Sequence, residues 1–186
     1  MIEMLTPFYI PMFVVEIKDW DRKKKRLLSM VDWNNPDANE ENHFTDYHLN
    51  DKDGCPYQVE FGELLSEDFQ LVSNRLGADL TLKSVWAQRY SKEKSMHVHR
   101  HGSTGFSCVL FVDFNPSQHE ATTFVAPFNN FVSDEDLTFT PIVKEGTLLV
   151  FPSMLLHYAA PNASSELRTI FSLNIDTKTL PRQHDT

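Results

Sequence analysis

The run Glu145-Gly146-Thr147-Leu148-Leu149-Val150-Phe151-Pro152-Ser153 reads as a turn, an apolar strand and a second turn, and His157 follows soon after it. Gly146 and Pro152 bracket the apolar stretch and leave it too short for a helix. The second turn would carry His157 onto a neighbouring strand. Working outward, similar short β-rich runs occupy residues 82–90, 96–101, 106–114, 122–126 and 168–175. Breaks at 102–105, Asn115-Pro116, Pro141 and Pro161-Asn162 separate them. Many short strands at such spacing predict a sandwich, barrel or jelly roll.

The N-terminal part has a different texture. Residues 8–17 are apolar and β-branched enough for a strand, and 21–31 suit a helix. Residues 34–56 are rich in Asn, Asp and Glu and read as a loop. A second helix is expected over 63–76, with Leu64, Leu65, Phe69, Val72 and Leu76 at helical spacing and Gly77 as its stop. Helices that precede the strands should pack on the outer face of one sheet. A chain of 186 residues with 41% hydrophobic content can bury one good core but hardly two. The expectation is therefore one domain over 1–186, mainly β with flanking helices (α+β), in which 1–80 supports a β core at 81–178.

The formal net charge of -9 argues against a phosphate-tracking surface, so no nucleic-acid partner is expected. The one basic cluster, Arg22-Lys23-Lys24-Lys25-Arg26, reads as the solvated face of a short helix. Glu3, Pro7 and Pro11 do not resemble a secretory signal, and no run is long enough to span a bilayer. Cys55 and Cys108 are too few for a disulfide framework. A soluble protein of a reducing cytoplasm fits these features.

The chemistry concentrates in histidines. In an extended strand alternate side chains share a face, so His97-Val98-His99-Arg100-His101 would send three imidazoles to one side. Two histidines one residue apart can chelate from a strand and the turn after it, and Gly102 and Gly105 provide that turn. A further ligand must come from elsewhere, and His157 is favoured by its place after the strand at 147–151. His43 and His48 fall in the polar loop and His184 near the C-terminus, where solvent-exposed histidine is the default. His119, near Pro116 and Glu120, is ambiguous. Arg168 opens an apolar strand and needs an anion, because an unpaired buried charge is costly and the guanidinium fork matches a carboxylate. The plainer alternative is an exposed Arg168 paired to Glu166 or a C-terminal residue.

Taken in order, Trp86-Ala87-Gln88-Arg89-Tyr90, His99-Arg100-His101-Gly102 with Phe106-Ser107, Glu145-Gly146 through Pro152-Ser153 to His157, Pro161-Asn162, and Arg168 through Asn174 resemble the 2-oxoglutarate and Fe(II)-dependent oxygenases. The similarity is to their phage and marine-bacterial, prolyl hydroxylase-like branch, and it spans about half the chain. The resemblance implies the double-stranded β-helix, a cupin-like jelly roll with the metal at its mouth. It also implies that His99, His101 and His157 hold Fe(II), with His97 the alternative first ligand, and that Arg168 binds the far carboxylate of 2-oxoglutarate. Two departures stand out. The usual carboxylate ligand position reads as His101, and Ile170 stands where many relatives carry a hydroxyl, for which Ser172, Tyr90 or Gln88 would substitute.

The function so implied is a dioxygenase that uses Fe(II), 2-oxoglutarate and O2. Oxidative decarboxylation of 2-oxoglutarate would be coupled to hydroxylation of a peptidyl or small-molecule substrate, in the host cytoplasm if the chain is phage-encoded. Two other readings remain open: a cupin-type metalloprotein without 2-oxoglutarate, for which Arg168 has no fixed use, and a non-catalytic jelly-roll binding or structural module.

Overall fold

The computed structural model describes residues 9–38, 43–49 and 54–179. Its centre is a pair of antiparallel sheets. Strands β1 (Phe13–Glu16), β2 (Phe44–Thr45), β3 (Ala78–Tyr90), β5 (Phe106–Asp113), β8 (Thr147–Pro152) and β10 (Arg168–Thr179) form a six-stranded sheet in the order β1-β8-β5-β10-β3-β2. Strands β4 (Met96–His99), β6 (Thr123–Asn129), β7 (Asp136–Phe139) and β9 (Leu156–Ala159) form a four-stranded sheet in the order β4-β9-β6-β7. From β3 to β10 the chain passes from one sheet to the other at almost every turn, the β6–β7 hairpin excepted. That winding is the double-stranded β-helix.

Strands inside the larger sheet are apolar on both faces, and alternation assigns each residue to one of two cores. Along β5, Cys108, Leu110 and Val112 face the helices, while Val109 and Phe111 face the second sheet. Along β8, Leu148 and Val150 are divided in the same way from Leu149 and Phe151. This is why the decisive run at 147–151 reads as uninterrupted hydrophobicity rather than as alternation. Gly146 starts it with φ 79°, and a Cβ there would lie 2.9 Å from the Trp20 ring, so the turn admits no side chain.

Helices α1 (Trp20–Ser29), α2 (Gln58–Leu64) and α3 (Ser66–Leu76) lie on the outer face of the larger sheet, with Leu27, Phe61, Leu65 and Val72 in the outer core. Four sequence expectations need correction. The helix expected over 63–76 is two helices that break at Leu65, and the second ends at Gly77 with φ 64°. The loop expected over 34–56 contains β2 and single turns of 3-10 helix at Pro36–Ala38 and Tyr47–Leu49. The strand expected over 122–126 runs from Thr123 to Asn129 and pairs with β7. The basic cluster is not wholly solvated: Lys23 is buried, with its Nζ 2.6 Å from Oδ2 of Asp68 on α3. Of the strand expected over 8–17, Phe8 lies outside the described residues, as does His184. Among the described residues no helix is long and apolar enough to cross a membrane.

Candidate metal centre and its two cavities

His157 stands on β9, and its direct cross-strand partner on β4 is His99. Residues so paired hold their Cβ atoms roughly 5 Å apart, which is chelating range for two imidazoles. The third ring comes from His101, just beyond the end of β4, where its backbone N–H donates to the Ser153 carbonyl at 3.1 Å. The possible ligand nitrogens of His99, His101 and His157 all lie within 4.8 Å of one another. Ring centroids are separated by 4.4 Å for His99 and His157, 5.1 Å for His101 and His157, and 5.0 Å for His99 and His101.

His97 does not join them. Between Met96 and His99 the register with β9 slips by one residue, as at a β-bulge. The extra residue cancels strict alternation, so Met96 and His99 turn inward while His97 is exposed. The expectation that residues 97, 99 and 101 share one face therefore fails at its first member.

The surroundings suit neutral, ligating imidazoles. Nδ1 of His99 lies 2.8 Å from the His97 carbonyl and Nδ1 of His157 lies 2.9 Å from the Leu155 carbonyl. A carbonyl oxygen only accepts, so each Nδ1 carries the proton and each Nε2 keeps a free lone pair. Burial lowers the pKa of all three rings. His99 is displaced downward, His101 is pushed down to about 3 with help from His157 and His99, and His157 is pushed down to about 4. A cation that needs neutral nitrogen donors would compete little with protons here.

Two cavities meet at the histidines. An inner one of about 20 Å³ is lined by Tyr90, Val109, Thr122, Tyr158, Ile170 and Ser172 beside the three rings. An outer one of about 190 Å³ opens past His99 and His101 to His43, Tyr47, Trp86 and Arg100. Gln88 and Met96 border both. Ser172 Oγ donates to Gln88 Oε1 at 2.7 Å, and Gln88 Nε2 lies 3.1 Å from His43 Nε2.

Arg168 sits behind Tyr90 at the inner end, with its guanidinium carbon 4.7 Å from the Tyr90 ring centre. It is only 2% exposed. Its Nη1 and Nη2 donate to the carbonyls of Glu120 and Ala160 at 3.0 and 2.6 Å. Among the described residues no carboxylate lies within 4.0 Å of it. Burial pushes its pKa down, against the opposing pull of Tyr90 and Glu120. The alternative of an exposed Arg168 paired to Glu166 is not what is found, because the Glu166 carboxylate instead accepts from Gln118.

His43 is the site residue that sequence reasoning missed. Expected in solvent, it is buried, stacked on Tyr90 with ring centroids 4.7 Å apart, and bonded to Gln88. Strand β2 brings it there by pairing Phe44 with Arg89 and Thr45 with Gln88. Asp46 pins that strand, accepting from the Ala87 N–H at 2.7 Å and the Tyr57 hydroxyl at 2.6 Å. The only sequence signal was the β-capable pair Phe44-Thr45, too short to stand out in a polar loop. His48 is exposed and bonded to the Asp37 carbonyl, and His119 is held between Asn115 and Glu166, so neither reaches the three rings.

Residues 84–174, close to half of the chain, match the family described as "Putative 2OG-Fe(II) oxygenase". Over that segment the chain is similar to the 2-oxoglutarate/Fe(II) oxygenases. The matched segment holds all three clustered histidines and Arg168. Among solved structures the superfamily fold recurs at low identity. The 2OG-Fe(II) oxygenase-family oxidoreductase from Burkholderia pseudomallei is 16% identical with a TM-score of 0.51, and the match covers 65% of this chain and 58% of that one. HygX from Streptomyces hygroscopicus, solved with nickel, 2-oxoglutarate and hygromycin B, is 11% identical with a TM-score of 0.61, covering 90% of this chain and 83% of that one. The viral collagen prolyl hydroxylase vCPH from Paramecium bursaria Chlorella virus-1 is 14% identical with a TM-score of 0.58, covering 91% and 96%. Among curated proteins, none matches the chain. The superfamily also accommodates other outcomes, since a similar structure is the epimerase SnoN from nogalamycin biosynthesis.

Proposed function

We propose that this protein is an Fe(II)- and 2-oxoglutarate-dependent dioxygenase that couples decarboxylation of 2-oxoglutarate to hydroxylation of a substrate C–H bond. In this reading His99, His101 and His157 hold the metal, and Arg168 holds the far carboxylate of 2-oxoglutarate, while Tyr90, Gln88 and Ser172 shape the pocket between them. The observation that carries it is Arg168: a buried guanidinium with no carboxylate within 4.0 Å among the described residues, stacked on Tyr90, which lines the cavity that reaches the three neutral imidazoles. Burying a cation without a counter-ion is expensive, so such a position calls for an anionic ligand.

The bound metal and co-substrate supply the oxidative chemistry, and the polypeptide supplies ligation, orientation and a dry pocket. Nδ1 protons held on backbone carbonyls fix the rings of His99 and His157 with Nε2 facing inward. Tyr90 keeps its face against the Arg168 guanidinium and so sets where that fork can point. The inner cavity of about 20 Å³ is narrow for a five-carbon dicarboxylate. Met96, unbranched and flexible, is the lining side chain suited to swing aside.

The test is anaerobic titration of the Fe(II)-loaded protein with 2-oxoglutarate, following the weak visible band of keto-acid chelation. A saturable band in wild type, weakened in Arg168→Ala, is expected. The three-imidazole donor set favours one second reading, a metalloprotein that works without 2-oxoglutarate, and bound iron with no band would select it.

A further inference from the structure

We infer that the outer cavity is an anion-binding substrate site, and that the substrate presents a carboxylate or similar anion to Arg100 while a flat or apolar portion packs on Trp86 and Tyr47. The inference deepens the oxygenase reading and rests on it in taking His99, His101 and His157 as the reactive centre. Three observations carry it.

The first is charge. In a chain with 26 acidic residues, none of the described residues that line the outer cavity is Asp or Glu. The lining instead brings Arg100, His43, His99 and His101 together with Thr45, Tyr47, Trp86, Gln88 and Met96. Arg100 is exposed, and among the described residues no carboxylate lies within 4.0 Å of it. A site of three imidazoles also lacks the negative ligand of the usual facial triad. A divalent ion and a dicarboxylate co-substrate would cancel each other, and the imidazoles are neutral, so Arg100 is left as the charged side chain among the described residues of the lining.

The second is an orphan donor. His43 is 4% exposed and lines this cavity, and among the described residues its Nδ1 has no hydrogen-bond partner. The Ser172 hydroxyl donates to Gln88 Oε1, so the Gln88 amide nitrogen faces His43 Nε2, which must accept. The neutral ring therefore carries its proton on Nδ1, a buried donor that lacks an acceptor. An anionic oxygen is the strongest acceptor available.

The third is the wall. Trp86 and Tyr47 meet edge to face at 5.0 Å, and Trp86 in turn lies 5.4 Å from His101. An aromatic surface thus runs from Tyr47 through Trp86 to His101. Apolar or ring-shaped material bound against it would be held beside the reactive centre, with its charged end toward Arg100.

The experiment is calorimetric titration of anaerobic Fe(II)-protein, saturated with 2-oxoglutarate, with benzoate, phenylacetate and 3-phenylpropionate and with their uncharged amides. Wild type, Arg100→Gln and Arg100→Lys are compared, with metal content measured for each. At least one acid is expected to bind wild type ten-fold or more tightly than its amide, with the preference kept in Arg100→Lys and reduced to within two-fold in Arg100→Gln. Equal binding of acid and amide, no binding of any of the six at millimolar concentration, a preference that survives Arg100→Gln, or an acid that binds only by displacing 2-oxoglutarate would each overturn the inference. Loss of the 2-oxoglutarate band in wild type would sink the oxygenase reading separately. The same titrations with metal alone would still report on Arg100.

Discussion

Replacing Arg168 by Met separates two quantities that usually move together. The side chain keeps most of its length and loses its charge. In the unliganded protein two effects oppose each other. Removing a buried cation without a counter-ion is worth roughly 1–4 kcal/mol, while the carbonyls of Glu120 and Ala160 lose their donors at about 1–3 kcal/mol each. The net lies between a gain of about 2 and a loss of about 5 kcal/mol, so the unliganded melting temperature should stay level or fall. Binding behaves otherwise. Loss of one partner of a buried charge pair costs about 2–5 kcal/mol, or about thirty- to several-thousand-fold in Kd for 2-oxoglutarate. At 100 times Kd, 2-oxoglutarate should stabilise metal-loaded wild type by about 2.7 kcal/mol, a rise of about 5–10 °C for a chain of this size. At the same concentration Arg168→Met should keep at most about a third of that rise. Anaerobic thermal melts with and without 2-oxoglutarate measure both numbers. An equal ligand-induced rise in wild type and variant would refute the assignment of Arg168 to the co-substrate.

Asp68→Asn leaves Lys23 buried without its counter-ion, and the expected loss is roughly 3–5 kcal/mol of stability by urea unfolding; a loss under 1 kcal/mol would mean that Lys23 escapes to solvent. His43 has a folded pKa of about 4, lowered by burial first and then by Arg168, His97 and His99, against an ordinary value of 6.5. Between those values the unfolded chain binds the extra proton, so stability falls as pH drops from about 6.5 to about 4 and is unaffected by this group above that window. His43→Phe should remove roughly 2–3 kcal/mol of that acid sensitivity in the metal-free protein, and melts at pH 7 and 4.5 that shift in parallel for both proteins would contradict it. His101→Ala should lower Fe(II) affinity by more than the 10–100-fold that loss of a supporting group costs, whereas His101→Asp, which restores the usual donor set, should bind within ten-fold of wild type; competition with a coloured chelator reads both.

The β core was legible because its signals are local. Gly146 and Pro152 punctuate a run whose two cores demand apolar residues on both faces, and the same physics marks 106–114 and 168–175. His157 could be placed from the turn that precedes it, and Arg168 from the cost of a lone cation in an apolar strand. What stayed hidden depends on pairing with distant chain. The bulge that turns His97 outward exists only in the register of β4 against β9. Burial of Lys23 needs Asp68, 45 residues away. His43 reaches the site only because two residues of β2 pair with the end of β3, and Asp46 pins them there. No periodicity in residues 34–56 encodes a two-residue strand.

That hidden segment bears on where selectivity resides. The family match begins at residue 84 and contains the three histidines, Arg168, Trp86 and Arg100. His43, Thr45 and Tyr47, which complete the outer cavity, lie before it. A jelly roll supplies the ligating strands to any member of the superfamily, but it leaves the mouth open, and a separate piece of chain must close one side. Here β2 and the turn after it do so, paired as the edge strand with the end of β3 and pinned by Asp46, which accepts from the Ala87 N–H and the Tyr57 hydroxyl. Substitutions at Thr45 or Tyr47 should accordingly change which substrate is accepted while leaving metal and 2-oxoglutarate binding intact, and substitutions at His157 or Arg168 should do the reverse. If Tyr47→Ala weakened metal, co-substrate and substrate binding alike, the segment would be part of the scaffold, and the division between a chemical core and a selective wall would be wrong.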